Sequence, residues 1–446
     1  MTDLSQPRGA ARALALDRLL RLERDGAYVS RLPDGSASTG PAERRAADYV
    51  AGITRNRRWL DFLIAQFYRG DAHTLEPRVR QVLRIGLYDL LVRETAPHAA
   101  VGEAVELAKR AIRPGAGGLV NGILRSVLRA QQAGRLPEPE TGHAVRDLAV
   151  RYSHPTWLVR RWAQRFGEDE TRRLLRHNNA APTYALRVNT RETSVDDFRA
   201  ALDALGVAHE PSPYLDDFVR VERLQPVLRA GWFDEGKCAV QDEAAGLVVR
   251  LLDPQPGETI RDVCAAPGGK ALYAAIRMGD EGKVLATDAN RARVGLVRTA
   301  AAAHGLSSIE AATSDARQLH GAADRVLLDA PCAGTGVLAK RADLRWQRSE
   351  ADLAELTTLQ DELLDASADL VRPGGLLVYS TCSLEPEENV ERVLAFLDRD
   401  ARFSIEPPGD RLPESVVTTD GAYAALPHVH GTDGAFAVRL RRTDAS

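Results

Sequence analysis

From residue 240 onward, short β-rich runs alternate with helical stretches, a pattern that few folds satisfy. The runs ETIRDVC, GKVLATD, SSIEAAT, DRVLLDA and GGLLVYS are separated by stretches such as KALYAAI, NRARVGLVRTAAAAHG and ADLAELTTLQDELLDASADLV. Apolar runs of strand length joined by helices of ten or more residues predict an α/β domain with a doubly wound parallel sheet. In such a sheet ligands sit beyond the C-terminal ends of the strands, so the residues just after each run are the candidates for function.

The first run ends in Asp262-Val263-Cys264-Ala265-Ala266-Pro267-Gly268-Gly269-Lys270, and a helix starts at once. Small residues and two glycines let backbone approach a ligand at a helix N-terminus, yet the GxGxxG spacing of a dinucleotide loop is absent. Asp288 closes the second run, 19 residues after Gly269, where a carboxylate can accept from ribose hydroxyls. Asp315 follows the third run and Asp329 the fourth. Each acid alone fits a turn or helix cap equally well, but four strand ends carrying an acid or a Gly-rich loop in order fit a ligand site better.

Asp329 opens DAPCAGTG, which contains Cys332, and the fifth run delivers Tyr379-Ser380-Thr381-Cys382-Ser383. A cysteine is more often a small buried hydrophobe than a nucleophile, a reading that suits Cys238 and Cys264. Cys332 and Cys382 instead lie past strands at the ligand end of the sheet, where both thiols can converge on one substrate atom. By position alone either is a candidate nucleophile. With no CxxC pair among the four cysteines, neither a disulfide framework nor a zinc site is expected, and no metal is assigned.

Residues 1–138 read as helices, with Leu14, Leu16, Leu19 and Leu20 and then Tyr49, Ile53, Leu60, Leu63, Ile64 and Phe67 at helical spacing. Pro77, Pro97 and the PGAGG run supply breakers, and GRLPEPETG reads as a linker. Residues 143–236 read as a small α+β domain, with helices in HPTWLVRRWAQRF and EDETRRLLRHNN, strands in TYALRVN and DFVRVE, and the helical SVDDFRAALDALG between those strands. The α/β domain then occupies 237–446. Arginines interleaved with Trp157 and Trp162 suit either stacking on RNA or an amphipathic helix with core tryptophans.

Charge divides the same way. Residues 1–140 hold 22 basic and 16 acidic residues, a net +6, against 14 and 14 in 141–235 and 23 and 32 in 236–446, a net −9. A basic front on an acidic body suits a chain that holds a polyanion at one end, although a solvated charged face gives the same bias. No window approaches a membrane span, and the opening MTDLSQPRGA lacks the apolar stretch of a signal peptide, so a cytoplasmic location without membrane association is expected.

The motifs CAAPGGK, DAPCAGTG and STCSLEPEEN, with the final GTDGAFAVRL, resemble the Sun-type RNA cytosine-5 methyltransferases. VLRIGLYDLL, PHAAVGEAVELAK and LVNGILR resemble a NusB-like RNA-binding domain. The fusion is similar to the RsmB-type enzymes that methylate 16S ribosomal RNA. Ala333 stands where that family usually has serine and Ala271 where threonine often follows the lysine. The resemblance implies an all-α NusB-like bundle, an α+β connecting domain and a Rossmann-like methyltransferase domain that uses S-adenosyl-L-methionine.

The same resemblance implies that Cys264, Ala265, Ala266, Pro267, Gly268, Gly269 and Lys270 wrap the methionine part of the cofactor. Asp288 would take the ribose, Asp315 the adenine edge, and Arg293 belongs to the same site. Asp329 would lie between cofactor and base, Cys382 would be the nucleophile, and Cys332 would assist release. The expected partner is 16S ribosomal RNA, free or partly assembled. A DNA cytosine methyltransferase would lack the Thr381-Cys382 partner and the helical front. A non-catalytic RNA-binding factor would have no physical reason to keep all these motifs.

Overall fold

The computed structural model describes residues 9–25 and 40–443. Contacts divide the chain into two compact units: one runs to Ala180 and takes in Lys340–Arg348, and the other comprises Ala181–Ala339 and the chain from Ser349.

The first unit is helical throughout its described elements: α1 (Ala10–Asp25), α2 (Pro41–Phe67), α3 (Pro77–Leu91), α4 (Pro97–Ala111), α5 (Ala116–Gln132), α6 (Ala144–Arg151), α7 (Thr156–Phe166) and α8 (Glu168–Asn179). Three of these helices start with proline in the first turn, where the missing N–H would have had no intrahelical partner. The heptad-like apolar positions meet in one core that includes Leu16, Leu19, Tyr49, Ile53, Leu60, Leu63, Val82, Ile85, Val120 and Leu124. Asp89 is fully buried inside it. Its carboxylate accepts from Tyr49 Oη at 2.6 Å and Arg12 Nε at 2.8 Å, which satisfies a charge that would otherwise be costly there. Trp162 is 1% exposed against the edge of His154, so it is a core tryptophan and is closed to base stacking.

The segment Lys340–Arg348 leaves the methyltransferase-like sequence and joins this helical unit. Arg345 is 1% exposed; its guanidinium donates to the carbonyls of Arg55, Ser153 and Asn178 and to Asn179 Oδ1, at 2.9–3.2 Å. Burial and then the nearby Arg55 charge press its pKa down to about 9 against the opposing charge of Asp343, which leaves the guanidinium charged at neutral pH. Trp346 Nε1 donates to Thr54 O at 2.7 Å, and Arg57 lies over its ring. Nothing in the sequence pattern of this segment signals that role.

The second unit continues with β1 (Tyr184–Val188), α9 (Val195–Ala204), β2 (His209–Pro211), β3 (Phe218–Val221), α10 (Gln225–Arg229) and β4 (Cys238–Val240). Its first sheet has the order β2-β3-β1-β4 and is antiparallel. The sequence pattern located β1 and β3; β2 and β4 are three residues each, too short to show alternation.

Next come α11 (Glu243–Leu252), β5 (Thr259–Asp262), α12 (Gly269–Arg277), β6 (Lys283–Asp288), α13 (Arg291–Ala303), β7 (Ile309–Thr313) and β8 (Ala323–Asp329). After α14 (Leu344–Gln347), which belongs to the first unit, follow α15 (Asp352–Asp369), β9 (Val371–Thr381), α16 (Val390–Arg399), β10 (Phe403–Ile405), β11 (Tyr423–Ala425), α17 (Pro427–His430) and β12 (Ala435–Arg442). The second sheet is ordered β10-β12-β9-β8-β5-β6-β7, with β11 on β12. The five strands β5 to β9 are parallel, as the alternation predicts. Beyond those five strands, β12 inserts antiparallel between β9 and β10, so the complete sheet is mixed. The strand order reverses between β5 and β8, which opens a crevice at their C-terminal ends.

Arg345→Ala should remove four charge-assisted bonds and leave their acceptors buried, lowering the stability of the helical unit by about 2–4 kcal/mol. Arg345→Lys should not restore it, since an ammonium cannot reproduce the planar fork. Urea unfolding curves of the three proteins check both outcomes.

Candidate active site

β5 ends at Asp262, and the chain turns through residues 263–268 into α12. Gly268 has φ +111°, a backbone conformation closed to side chains, and a Cβ there would lie 2.9 Å from Leu272. The turn is held by Gly268 N donating to Ala265 O at 2.7 Å and Ala265 N to Thr287 O at 2.8 Å. The first N–H groups of α12 have no intrahelical acceptors and face the crevice end of the strand, a local positive pole.

Asp288, at the end of β6, closes one side. Its Oδ1 accepts from Asn290 N at 2.8 Å and its Oδ2 from Ala266 N at 3.3 Å. The exposed Arg293 guanidinium lies 3.6 Å from the same carboxylate and donates to Ala266 O, so these residues and the loop form one group. Asp315 caps the turn Ala316–Gln318; both its oxygens accept from Arg317, which holds its carboxyl below the usual range.

Asp329 ends β8 in register with Ser380 of β9. Its Oδ2 accepts from Lys270 Nζ at 2.7 Å and its Oδ1 from Ser380 Oγ at 2.9 Å. Burial works against the Lys270 ammonium, but Asp329 and then Asp262 keep its pKa above the ordinary value. Asp262 is 1% exposed, and its Oδ1 has no hydrogen-bond donor among the described residues. Burial, and then the Asp329 charge, push its pKa up to about 7.

The two loops beyond β8 and β9 bring the thiols of Cys332 and Cys382 to 3.4 Å. Gly336 N donates to Cys382 O at 2.9 Å, and a Cβ at Gly336 would lie 2.8 Å from that oxygen and 2.7 Å from Gly434 O, so only glycine fits. Hydrogen bonding to Cys382 and burial hold the Cys332 thiol well above its ordinary pKa. Cys238 is fully buried, and burial pushes it up to about 12; Cys264 is likewise pushed up by burial and then Asp262, which removes both as nucleophiles at neutral pH.

The site therefore gathers a small-residue loop at a helix N-terminus, an ordered set of strand-end acids and a thiol pair. The family model "16S rRNA methyltransferase RsmB/F" matches residues 249–441, the NusB family model residues 9–129 and the RsmF/B-like ferredoxin-like model residues 154–228. The probable ribosomal RNA small subunit methyltransferase B of Bacillus subtilis is 34% identical over 97% of this chain and 99% of its own. The chain belongs to this methyltransferase family. The ribosomal RNA small subunit methyltransferase B of Klebsiella pneumoniae is 35% identical over 87% of this chain and 88% of its own. Among solved structures, a methyltransferase homolog protein from Pyrococcus horikoshii superposes with a TM-score of 0.58 at 28% identity, over 67% of this chain and 99% of that one.

Membership makes this chain an S-adenosylmethionine-dependent RNA methyltransferase with a NusB-like helical front and a ferredoxin-like middle. No helix among the described residues is long and apolar enough to cross a membrane. The sequence pattern places Asp262 at a strand end without marking a role for it, and carries no signal of the Lys270–Asp329 pair. It also missed Arg187 on β1, fully buried, whose Nη1 donates to Gly269 O at 2.7 Å and which lies over the Tyr273 ring. An arginine inside a strand run was the available signal, since a charge there needs a partner.

Because the folded Asp262 carboxyl titrates at about 7 rather than near 4, its contribution to stability is present below about pH 4 and is lost as pH rises through 7. The stability of Asp262→Asn relative to the parent should rise across that window. Thermal melts of the cofactor-free proteins from pH 4 to 8 check the sign.

Proposed function

We propose that this chain methylates C5 of a cytosine in 16S ribosomal RNA, acting in the cytoplasm on free or partly assembled RNA. The observation that carries the reading is the 3.4 Å contact between Cys332 and Cys382 beside the Lys270–Asp329 pair. The residues present fit S-adenosylmethionine: the orphaned Asp262 oxygen can accept from an ammonium, and the loop 264–270, Arg293, Asp288 and Asp315 border the crevice where the rest of it would lie. When bound there, that group supplies an electrophilic methyl.

Cytosine C5 is a poor nucleophile, so a thiolate must first add at C6. Of two thiols in contact, one ionises first, and the other then donates its S–H to the thiolate. We assign bond formation to Cys382, with the Cys332 thiol, raised above its ordinary pKa by the hydrogen bond to Cys382 and by burial, as the neighbouring donor. Addition moves the C5=C6 pair into the ring, and N3 takes a proton through Asp329 from the Lys270 ammonium that donates to it. C5 then carries the electron density that accepts the methyl.

Elimination needs a base at C5. Once the Cys382 sulfur is tied up as a thioether it no longer accepts from Cys332, so the main cause of the raised Cys332 pKa disappears. Cys332 then releases its proton to solvent, its thiolate takes the C5 proton, the C5=C6 pair re-forms and Cys382 leaves as thiolate. N3 returns its proton to Asp329. The net change is one methyl gained and one proton released.

Cys382→Ala should show no methyl transfer and no covalent intermediate, whereas Cys332→Ala should add and methylate, then stall crosslinked to RNA. Denaturing gels with labelled RNA would show a thiol-linked band for Cys332→Ala alone; the reverse pattern exchanges the two roles. Asp288→Ala should weaken S-adenosylmethionine binding by about 1.5–3 kcal/mol, the worth of a charge-assisted hydrogen bond, as read by calorimetry.

A further inference from the structure

Glu388 lies six residues beyond Cys382 in the SLEPEEN segment and takes no part in the chemistry above. It is fully buried, as are Gln360 of α15 and Tyr379 of β9. Glu388 Oε1 accepts from Ala333 N at 2.9 Å and from Gln360 Nε2 at 3.0 Å. The same Gln360 Nε2 donates to Pro331 O at 2.8 Å. The backbone is thus gripped on both sides of Cys332, at 331 and at 333, by one carboxylate and one amide. Glu388 is itself fixed, since its carbonyl accepts from Tyr379 Oη at 2.6 Å.

Ala333 has no side-chain hydrogen-bonding group and Gly334 has φ +68°; beyond them Thr335 Oγ1 accepts from Leu384 N at 2.8 Å, a further tie between the two loops. A buried carboxyl that serves only packing would be a costly choice, because burial raises its pKa and opposes its charge. Two of its acceptor bonds lead to the Cys332 loop, one directly and one through Gln360, and a third comes from Ser383 beside Cys382.

We propose that Glu388 is a positioning residue for the release step: it ties the Cys332 loop to the Cys382 loop so that the second thiol stays at the reacting carbon after the first has bonded to it. The proposal rests on the cysteine roles above. It concerns geometry rather than proton transfer, so an uncharged side chain that keeps the acceptor oxygen should serve almost as well.

The test uses the full-length enzyme with S-adenosylmethionine and an unmodified 16S RNA transcript. Glu388→Ala should bind the cofactor with unchanged affinity, turn over about tenfold slower or worse, and accumulate the thiol-linked RNA band, as expected when a reacting group is misplaced by around an ångström. Glu388→Gln, which still accepts from Ala333 N, should run within about threefold of the parent and leave no band. Gln360→Met, which removes the bridge to Pro331, should show the band as well and serves if Glu388→Ala does not fold. Parent-like turnover of Glu388→Ala, loss of turnover without a band, or a Glu388→Gln variant as slow as the alanine would each overturn the proposal. So would loss of cofactor binding in both Glu388→Ala and Gln360→Met, which assigns the clamp to folding. A parent enzyme that forms no adduct with RNA containing 5-fluorocytosine, which has no C5 proton to lose, would instead sink the covalent reading itself.

Discussion

The site depends on the parallel pairing of β8 with β9, which sets Asp329 beside Ser380. Adjacent strands lie about 4.8 Å apart, so chains that leave the sheet together are close enough for their next side chains to touch. Three residues past Asp329 and two past Ser380, the two thiols meet. The contact persists because the loops are sewn together further out, by Gly336 against Cys382 and Gly434 and by Glu388 against Ala333. A side chain at Gly336 would drive the loops apart.

The second constraint is electrostatic. Asp262 and Asp329 converge on one cation, Lys270, and that single ammonium cannot neutralise both. It bonds Asp329, and the deeper Asp262 is left with a raised pKa and an unused oxygen. A buried carboxyl in that condition costs stability, which is the usual signature of a site shaped for a ligand. The positive end of α12 and the exposed Arg293 add to the attraction for an anionic or zwitterionic group.

The helical unit is held by a different kind of buried charge. Arg345 donates to Asn178 O in the last turn of α8, to Ser153 O just past α6 and to Arg55 O within α2, and Asp89 accepts from Arg12 and Tyr49 within the bundle. Segment 340–348 therefore serves the helical unit while the sequence on either side of it serves the methyltransferase sheet. Arg160 and Arg165 of α7 remain exposed, while Trp162 is spent on the core.

The sequence alone determined the parallel strands β5 to β9, the helices of the front, the small-residue loop and the candidate acids and cysteines, because each rests on local periodicity or on a motif within one strand end. It did not reveal β2, β4 or β12 as sheet members. The first two are too short for alternation, and the place of the third is set by a partner strand more than fifty residues away. Nor did it give the state of the thiols or of Asp262, because a pKa depends on burial and on charges from other strands. How closely the two thiols approach, which acid bonds Lys270, and what grips the Cys332 loop were decided only when β5, β8, β9 and α15 packed together, since each answer is a distance between residues far apart in the chain.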